Sequence, residues 1–191
     1  YSIDTILTPA QFDAVLSSII QPALAAAKDY TGILYAGLML TPDGPKVVEF
    51  NVRFGDPETQ VILPRLKTDL LEVLMDMVDH RLGSRHVEWS SEVTATVVLV
   101  ASGYPGKFES GKRIEGLAEA GRLEGVCIYH AGTREQDGKN YTWGGGILNV
   151  TARGKTLSQA LDRAYAAAEM IRFDGKDYRR DIGRKGLAKE R

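Results

Sequence analysis

The sequence is poor in the features that support disulfide frameworks, zinc sites or membrane spans. Its 191 residues include three histidines and a single cysteine, Cys127, so it can form no internal disulfide, and no Cys/His spacing indicates zinc. The formal net charge of −1 provides no bulk attraction to nucleic acid or anionic membranes. No apolar run approaches the roughly 20 residues that span a bilayer, and the apolar start lacks the basic region of a signal peptide. We expect a cytoplasmic protein with neither nucleic-acid nor membrane partners.

What the chain does contain is an ordinary globular composition, 43% hydrophobic and 26% charged. Its length allows one large domain or two small ones. The segment 84–92 is polar and aperiodic, with helical patterns before it and strands with glycine turns after it. We therefore predict two domains, residues 1–87 and 88–191. The absence of an initiator methionine before Tyr1 suggests that the chain is part of something longer.

The first domain is predicted to combine helices with a hairpin. Thr8-Pro9-Ala10-Gln11 is a capping box that starts a helix, which Pro22 should kink or split. Turn residues at 42–45 join a buried strand, Ile33–Leu40, to a second strand at Val47–Phe54. Another helix begins near Asp69, and its buried stripe should consist of Leu70, Leu71, Val73, Leu74, Met77 and Val78.

The second domain is predicted to be built from strands and one long helix. The strands are Val93–Val100, Val126–His130 and Ile147–Thr151, and Asp137-Gly138 is a hairpin turn. Thr156 and Gln159 form a second capping box at the start of the long helix, and the basic tail from Arg179 is expected to fray. The fold class is thus α/β in composition, more closely α+β.

The strand at Val47–Phe54 carries the most informative polar pattern in the chain. Side chains alternate along a strand, so one face should hold Val47, Glu49, Asn51 and Arg53. The opposite face is a purely apolar set that belongs against a core: Val48, Phe50, Val52 and Phe54. Asp56 should then cap a helix whose first residue is Pro57.

Two interpretations of the polar face stay open on spacing alone. Glu49 and Asn51 supply a carboxylate and an amide oxygen two residues apart, which suits magnesium completed by phosphate oxygens and water. Arg53 and the predicted helix start at Pro57 would add anion binding, while Asp56 would orient a substrate amine or hydroxyl. The alternative is a half-exposed strand with three polar residues on its wet face, followed by Asp56 as a plain N-cap.

Other motifs carry weaker signals. Gly103-Tyr104-Pro105-Gly106-Lys107 lacks the spacing of a P-loop, and a surface turn is the better interpretation. Gly144–Gly146 fits no dinucleotide fingerprint and predicts a tight turn or a close approach of backbone. None of the three histidines has a Ser or Cys partner arranged for nucleophilic catalysis, so we assign all three to structure or solvent.

The segment Glu49-Phe50-Asn51-Val52-Arg53-Phe54-Gly55-Asp56-Pro57-Glu58-Thr59-Gln60 resembles the signature of the phosphoribosylamine–glycine ligase family of the ATP-grasp superfamily. Four further segments resemble that family in the same order along the chain, namely Gly32–Met39, Gly103–Gly106, His130–Thr133 and Tyr178–Gly183. The resemblance covers essentially the whole chain. It implies the C-terminal half of an ATP-grasp domain followed by a small mixed α/β domain.

The resemblance also implies a reaction. Members of this family ligate glycine to 5-phosphoribosylamine in purine synthesis, converting ATP to ADP and phosphate through a glycyl phosphate. Here Glu49 and Asn51 would be ligands of Mg²⁺ or Mn²⁺, and Arg53 would steady the transferring phosphoryl group or the acyl phosphate. Arg53 and Asp56 are the predicted catalytic residues, and Arg53 is also the predicted nucleotide contact. We expect small-molecule partners and a monomer at full length.

Two departures from the family pattern limit what can be carried over. The strand Ile33–Leu40 contains no acid, although many relatives place another metal ligand on this strand. The family's amino-terminal domain and its glycine-rich ATP-binding region also have no counterpart in this sequence. We therefore expect the chain alone to be inactive. Another ATP-grasp carboxylate–amine or carboxylate–thiol ligase, or a non-catalytic fragment, are the competing assignments.

Overall fold

The computed structural model describes Ser2 and residues 7–188. Its helices are α1 (Pro9–Val15), α2 (Gln21–Ala26), α3 (Thr59–Ile62), α4 (Leu70–Val78), α5 (Leu117–Ala120), α6 (Leu157–Met170) and α7 (Arg184–Leu187). Its strands are β1 (Tyr35–Thr41), β2 (Gly44–Asn51), β3 (Val93–Ala101), β4 (Arg113–Ile114), β5 (Val126–His130), β6 (Thr133–Gln136), β7 (Lys139–Thr142), β8 (Gly146–Gly154) and β9 (Lys176–Asp177). The chain divides into a hairpin unit, residues 4–59 and 66–90, and a sheet unit, residues 1–3, 60–65 and 91–191.

The hairpin unit opens with the predicted capping box. Gln11 N–H donates to Thr8 Oγ1 at 3.2 Å, and Thr8 N–H donates to Gln11 Oε1 at 3.0 Å. Helix α1 ends at Val15, a π-helical segment follows over Leu16–Ile20, and α2 carries Pro22 in its first turn. The predicted interruption therefore takes the form of a π-helical insertion just ahead of the proline, which lacks the N–H that a continuous helix needs.

The predicted hairpin is confirmed, but its apolar face is not buried. Strands β1 and β2 pair antiparallel from Tyr35–Asn51 to Thr41–Gly44. Val48, Phe50 and Val52 are 66%, 44% and 71% exposed, so the expectation that they lie against a core is wrong for the residues described. Strand β1 is itself half-buried along most of its length and has no fully buried residue.

Helix α4 departs from prediction in the same way. Asp69 caps it as expected, accepting hydrogen bonds from the backbone of Leu71 and Glu72. No residue of the helix is buried, and Leu71 and Val78 from the predicted stripe are 67% and 62% exposed. The helical period was therefore predicted correctly, and the burial of its apolar face was not.

The sheet unit has a well-packed core. Its main sheet has the strand order β5-β8-β3-β9, and long strands β3 and β8 pair antiparallel through its centre. Helix α6 packs on both of them. The shared core consists of fully buried residues from these elements, including Val97, Leu99, Leu148, Val150, Ala164 and Ala168. All pairings among the strands described are antiparallel, which confirms the α+β class.

A smaller sheet of order β4-β7-β6 completes this unit. Asp137 and Gly138 join β6 to β7 with φ values of 51° and 69°, as a two-residue hairpin turn requires, so this prediction is confirmed. Strands β4 and β9 were not predicted, because two-residue strands leave no periodic signal. The predicted fraying of the tail from Arg179 is wrong as far as residue 188, because the segment forms a defined turn followed by α7. Residues 189–191 of the predicted tail lie outside the described residues. In the ranges described, we find no helix with the length and apolarity needed to cross a membrane.

Candidate active site

A bulge in β2 rearranges the predicted polar face. Gly37 lies opposite Glu49, but its neighbour Leu38 lies opposite Val47, so Val48 is an extra residue without a partner. This register places Val47 on the face opposite to Glu49 and Asn51. The prediction that Val47 shares their face is therefore wrong, since strict alternation cannot anticipate an inserted residue.

The two predicted metal ligands meet on one face of the hairpin. Asn51 Nδ2 donates a hydrogen bond to Glu49 Oε1 at 2.9 Å, and Glu49 is exposed while Asn51 is half-buried. Gly37 lies directly opposite Glu49, where a Cβ atom would come within 3.2 Å of Glu49 Cγ. A glycine at this position therefore leaves room for the Glu49 side chain, a contribution that the sequence analysis missed.

Tyr35 is a second residue that sequence reasoning missed. It lies opposite Asn51, and its hydroxyl donates to Glu58 Oε1 at 3.2 Å. Burial, with the charge and hydrogen bond of Glu58 next, raises the pKa of Tyr35; the charge of Glu49 adds to this and that of Arg53 opposes it. Tyr35 thus lies within electrostatic range of all three groups. Tyr35 lies within an apolar run of the sequence, and that pattern gives no indication of a role for its hydroxyl.

Arg53 lies beyond the end of β2 and not on the strand itself. Its Nη1 donates to the carbonyl oxygen of Phe54 at 2.9 Å, and its side chain is exposed. Among the residues that the structure describes, no carboxylate forms an ion pair with Arg53. Its remaining donors are therefore available to an anion from solution.

The predicted helix start at Pro57 is wrong. Helix α3 begins at Thr59, whose backbone N–H donates to the carbonyl of Gly55 at 3.0 Å. The Thr59 hydroxyl donates to the same oxygen. Asp56 and Pro57 lie in the turn before the helix, joined by a cis peptide bond, so Asp56 is not its N-cap. With only four residues in α3, the expected anion binding by its first amides also loses its basis.

The donor set can nevertheless accommodate a hard cation. The part of the chain that is described contains no group of three or more His, Cys, Asp or Glu residues able to hold a metal. The Glu49 carboxylate and the Asn51 amide are close enough to share one ion, and both offer the oxygen ligands that magnesium prefers. The rest of an octahedral shell would come from phosphate oxygens and water, as is usual for magnesium bound with nucleotides.

The glycine motifs of the sheet unit meet one another. The backbone of Gly132 packs against Gly144 and Gly146, with a Gly132 Cβ position 3.0 Å from Gly144 Cα. The Tyr104 ring lies so close over Gly145 that a methyl group there would overlap it. The predicted close approach of backbone at Gly144–Gly146 is thus confirmed, and its cause is packing.

Two models of one family match this chain, described as the phosphoribosylglycinamide synthetase ATP-grasp (A) domain over residues 1–59 and C domain over 94–185. The chain belongs to the phosphoribosylglycinamide synthetase family. The first match contains Glu49, Asn51, Arg53 and Asp56, and the second contains Gly103–Gly106, His130–Thr133 and Gly144–Gly146.

Relatives named phosphoribosylamine–glycine ligase support the same family. The protein from Synechocystis sp. is 50% identical over 188 residues, and that from Mesorhizobium japonicum is 44% identical over 195 residues. These matches cover 95% and 100% of this chain but 45% and 46% of the relatives. The chain thus spans a little under half the length of the curated relatives that it matches.

Solved structures agree with the family and the fold. The phosphoribosylamine–glycine ligase of Thermotoga maritima superimposes with a TM-score of 0.78 at 34% identity, covering 92% of this chain and 44% of that one. The N5-carboxyaminoimidazole ribonucleotide synthetase of the same organism gives a TM-score of 0.59 at 18% identity, covering 88% of this chain and 43% of that one. The second likeness concerns the fold alone. These neighbours confirm the predicted ATP-grasp type of fold.

Proposed function

We propose that this chain is part of an enzyme that ligates glycine to 5-phosphoribosylamine with ATP, producing glycinamide ribonucleotide, ADP and phosphate in purine biosynthesis. The observation that carries the proposal is the meeting of Glu49 and Asn51 at one end of the hairpin, with Arg53 just beyond. Residues 1–87 would form the C-terminal part of the ATP-grasp domain, and residues 88–191 the C-terminal domain of the ligase.

Glu49 and Asn51 would hold Mg²⁺ or Mn²⁺ through their side-chain oxygens. Such an ion neutralises charge on the phosphates of ATP and aligns them for transfer. The Asn51 amide would turn its oxygen toward the ion, replacing the hydrogen bond that it now donates to Glu49. Tyr35 and Gly37, directly opposite on β1, would keep the two ligands in place by shape.

Arg53 would bind the anion that is transferred. The γ-phosphoryl group passes from ATP to the glycine carboxylate, which yields glycyl phosphate and ADP. The amine of phosphoribosylamine then attacks the carbonyl carbon, and phosphate leaves. Each step concentrates negative charge on phosphoryl oxygens, and a guanidinium matches those oxygens with a planar fork of donors. Asp56, exposed in the adjacent turn, would orient the amine or hydroxyl of a substrate.

We propose that the reaction needs more than this chain. The relatives named as ligases are more than twice as long as the matched segment, and the 191 residues alone are expected to be inactive. We further propose small-molecule substrates only, a monomeric full-length protein and a cytoplasmic location. The lone cysteine and the near-neutral charge support the last of these.

The test is ADP release by a full-length version of the protein. We expect release that depends on both glycine and 5-phosphoribosylamine, together with formation of glycinamide ribonucleotide. Turnover of a different acid and amine would instead identify another ATP-grasp ligase. If no ATP is turned over with either pair of substrates, the non-catalytic alternative is favoured.

A further inference from the structure

The Glu58 carboxylate lies beside the proposed ion site, and the chemistry described above leaves it without a role. Its Oε1 accepts the hydrogen bond from the Tyr35 hydroxyl at 3.2 Å, and its side chain is half-buried. None of the ion pairs among the described residues includes Glu58. One of its oxygens is therefore held by Tyr35, while the carboxylate has no cationic partner within this part of the chain.

Tyr35 places Glu58 on the face of the hairpin that carries the proposed metal ligands. Tyr35 lies directly opposite Asn51 in the strand pair. Side chains of directly opposed residues share one face of an antiparallel sheet, with Cβ atoms about 5 Å apart. Burial is the main cause of the raised pKa of Tyr35, and the charges of Glu58, Glu49 and Arg53 also act on it. Glu58 thus lies close to the groups proposed to carry out phosphoryl transfer.

The turn before α3 fixes the position of the Glu58 side chain. The Gly55 carbonyl accepts hydrogen bonds from both the backbone N–H and the hydroxyl of Thr59, which closes the turn around Glu58. Gly55 is buried, and a Cβ there would overlap Glu58 Oε2 and lie 3.0 Å from Tyr35 Cε2. The lack of a side chain at 55 therefore leaves room for the carboxylate to pack against the backbone beside the Tyr35 ring.

The arrangement does not make Glu58 a further metal ligand. Within the described residues, Glu49, Asp56 and Glu58 do not form a group that could hold one metal ion. The segment 49–58 contains these three carboxylates and one cation, Arg53. A positive group that pairs with Glu58 would therefore come from a ligand.

We infer that Glu58 binds the ammonium group of the glycine substrate and that Tyr35 positions the Glu58 carboxylate for this contact. The inference rests on the proposed function, in which the glycine carboxylate receives the phosphoryl group beside Arg53 and the ion. A single carbon atom separates the ammonium from that carboxylate, so its binding partner must lie close to the reacting group. Glu58 meets this condition, and an ammonium–carboxylate contact is a charge-assisted hydrogen bond.

This contact would also distinguish the two amines of the reaction. The amine of phosphoribosylamine must be neutral in order to attack the acyl phosphate, whereas the glycine amine must stay unreactive. A neighbouring carboxylate stabilises the protonated form of an amine. A protonated amine has no lone pair, so the glycine nitrogen keeps its proton through both steps and does not compete as a nucleophile. Asp56 keeps the role already proposed for it.

The test compares glycine with glycolate, which has the same carboxylate and a hydroxyl in place of the ammonium. In a full-length version, Glu58→Gln should lower kcat/KM for glycine about thirtyfold, because a hydrogen bond between two charged groups is lost. The inhibition constant of glycolate should change by less than about twofold, since glycolate has no ammonium. Glu58→Asp keeps the charge and should recover part of the loss. Glu88→Gln, which changes an exposed carboxylate of the same unit, should leave both values unchanged.

The positioning role of Tyr35 has its own test. Tyr35→Phe should lower kcat/KM for glycine about threefold, because it removes only the hydrogen bond that orients Glu58. Adding Tyr35→Phe to Glu58→Gln should cause no further loss, since Tyr35 acts through Glu58. Additive losses would show that Tyr35 contributes independently of Glu58. The Mn²⁺ affinity should be the same in both single variants and the unmodified protein.

Three results would overturn the role of Glu58. They are an unchanged kcat/KM for glycine in Glu58→Gln, equal losses for glycine and glycolate, or a weakened Mn²⁺ affinity, which would make Glu58 a ligand of the ion. Should Glu58→Gln fail to fold, the same comparison in Glu58→Asp decides. If the unmodified full-length protein releases no ADP with glycine and phosphoribosylamine, the proposed function fails and the inference fails with it. Glycine-dependent turnover with unaltered selectivity between glycine and glycolate in the variants would reject the inference alone.

Discussion

Asn51 Nδ2 donates a hydrogen bond to Glu49 Oε1 at 2.9 Å, which brings a carboxylate and an amide together on one face of the hairpin. They are opposed across the strand pair by Gly37 and Tyr35, so the space around them is defined by β1. Both functional groups lie in the family-matched segment 1–59. The relationship makes the proposed ion site directly testable.

Glu49→Gln and Asn51→Ala should each weaken Mn²⁺ binding by about tenfold in the presence of ATP. The first removes the negative charge of a ligand, and the second removes an oxygen ligand altogether. Water-proton relaxation during Mn²⁺ titration of the 191-residue chain measures this. Glu88→Gln is the matched control, since Glu88 is an exposed carboxylate in the same unit. Equal Mn²⁺ affinities in Glu49→Gln and the unmodified chain would show that Glu49 is not a ligand of the ion.

Arg53→Gln should lower kcat of a full-length version by about 10²–10³-fold, in the range found when a preorganised donor to a developing anion is removed. Arg53→Lys should recover only part of the activity, because an ammonium keeps the charge and loses the planar fork. Mn²⁺ affinity should stay the same in both variants. Steady-state ADP release measures the effect, and Arg122→Gln, another exposed arginine, should behave as wild type. Full activity in Arg53→Gln would refute its assigned role.

Gly145→Ala should lower the free energy of unfolding by about 1–3 kcal/mol, because the new methyl group overlaps the Tyr104 ring and forces it to move. Gly146→Ala should have a much smaller effect, since nothing lies within 4 Å of its Cβ position. Adding Tyr104→Ala should relieve most of the cost of Gly145→Ala. Urea denaturation of the unmodified chain, Gly145→Ala, Tyr104→Ala and the double variant forms a double-mutant cycle, and simple additivity would show that the ring contact is unimportant.

Tyr129 should make stability depend on alkaline pH. Burial, followed by the hydrogen bond and charge of Cys127, raises the pKa of Tyr129 to about 12, whereas an unfolded tyrosine ionises near pH 10. Because the folded state holds the Tyr129 proton to a higher pH than the unfolded state does, Tyr129 contributes to the free energy of unfolding. This contribution is complete below pH about 10 and is lost as the pH rises toward 12. In Tyr129→Phe, the loss of unfolding free energy over this pH range should be smaller by about 1 kcal/mol, a value reduced for the partial exposure of the ring.

Urea denaturation at a series of pH values above about 9 measures that dependence. The free energy of unfolding should fall more steeply with pH in the unmodified chain than in Tyr129→Phe. The exposed Tyr104→Phe variant should keep the slope of the unmodified chain. Parallel slopes in all three proteins would mean that folding does not perturb Tyr129.

Local chemistry determined the elements that sequence analysis predicted correctly. The Thr8 capping box and the Asp137-Gly138 turn involve residues at most three apart, so their formation depends little on the rest of the fold. Thr156 accepts from the Gln159 N–H as predicted, but Gln159 Oε1 accepts from Lys155 and not from Thr156. Half of this second box therefore follows the sequence pattern, and the other half depends on the path by which the chain enters α6.

The sequence by itself determined the α+β class and the family, and it singled out Glu49, Asn51 and Arg53 as site candidates, since these inferences depend on residue type and short-range spacing. Only the tertiary structure decided that a bulge at Val48 separates Val47 from that face, and that Tyr35 and Glu58 join across 23 residues. It likewise decided that Val48 and Val52 are exposed. Register, burial and convergence result from long-range packing, which no local pattern specifies.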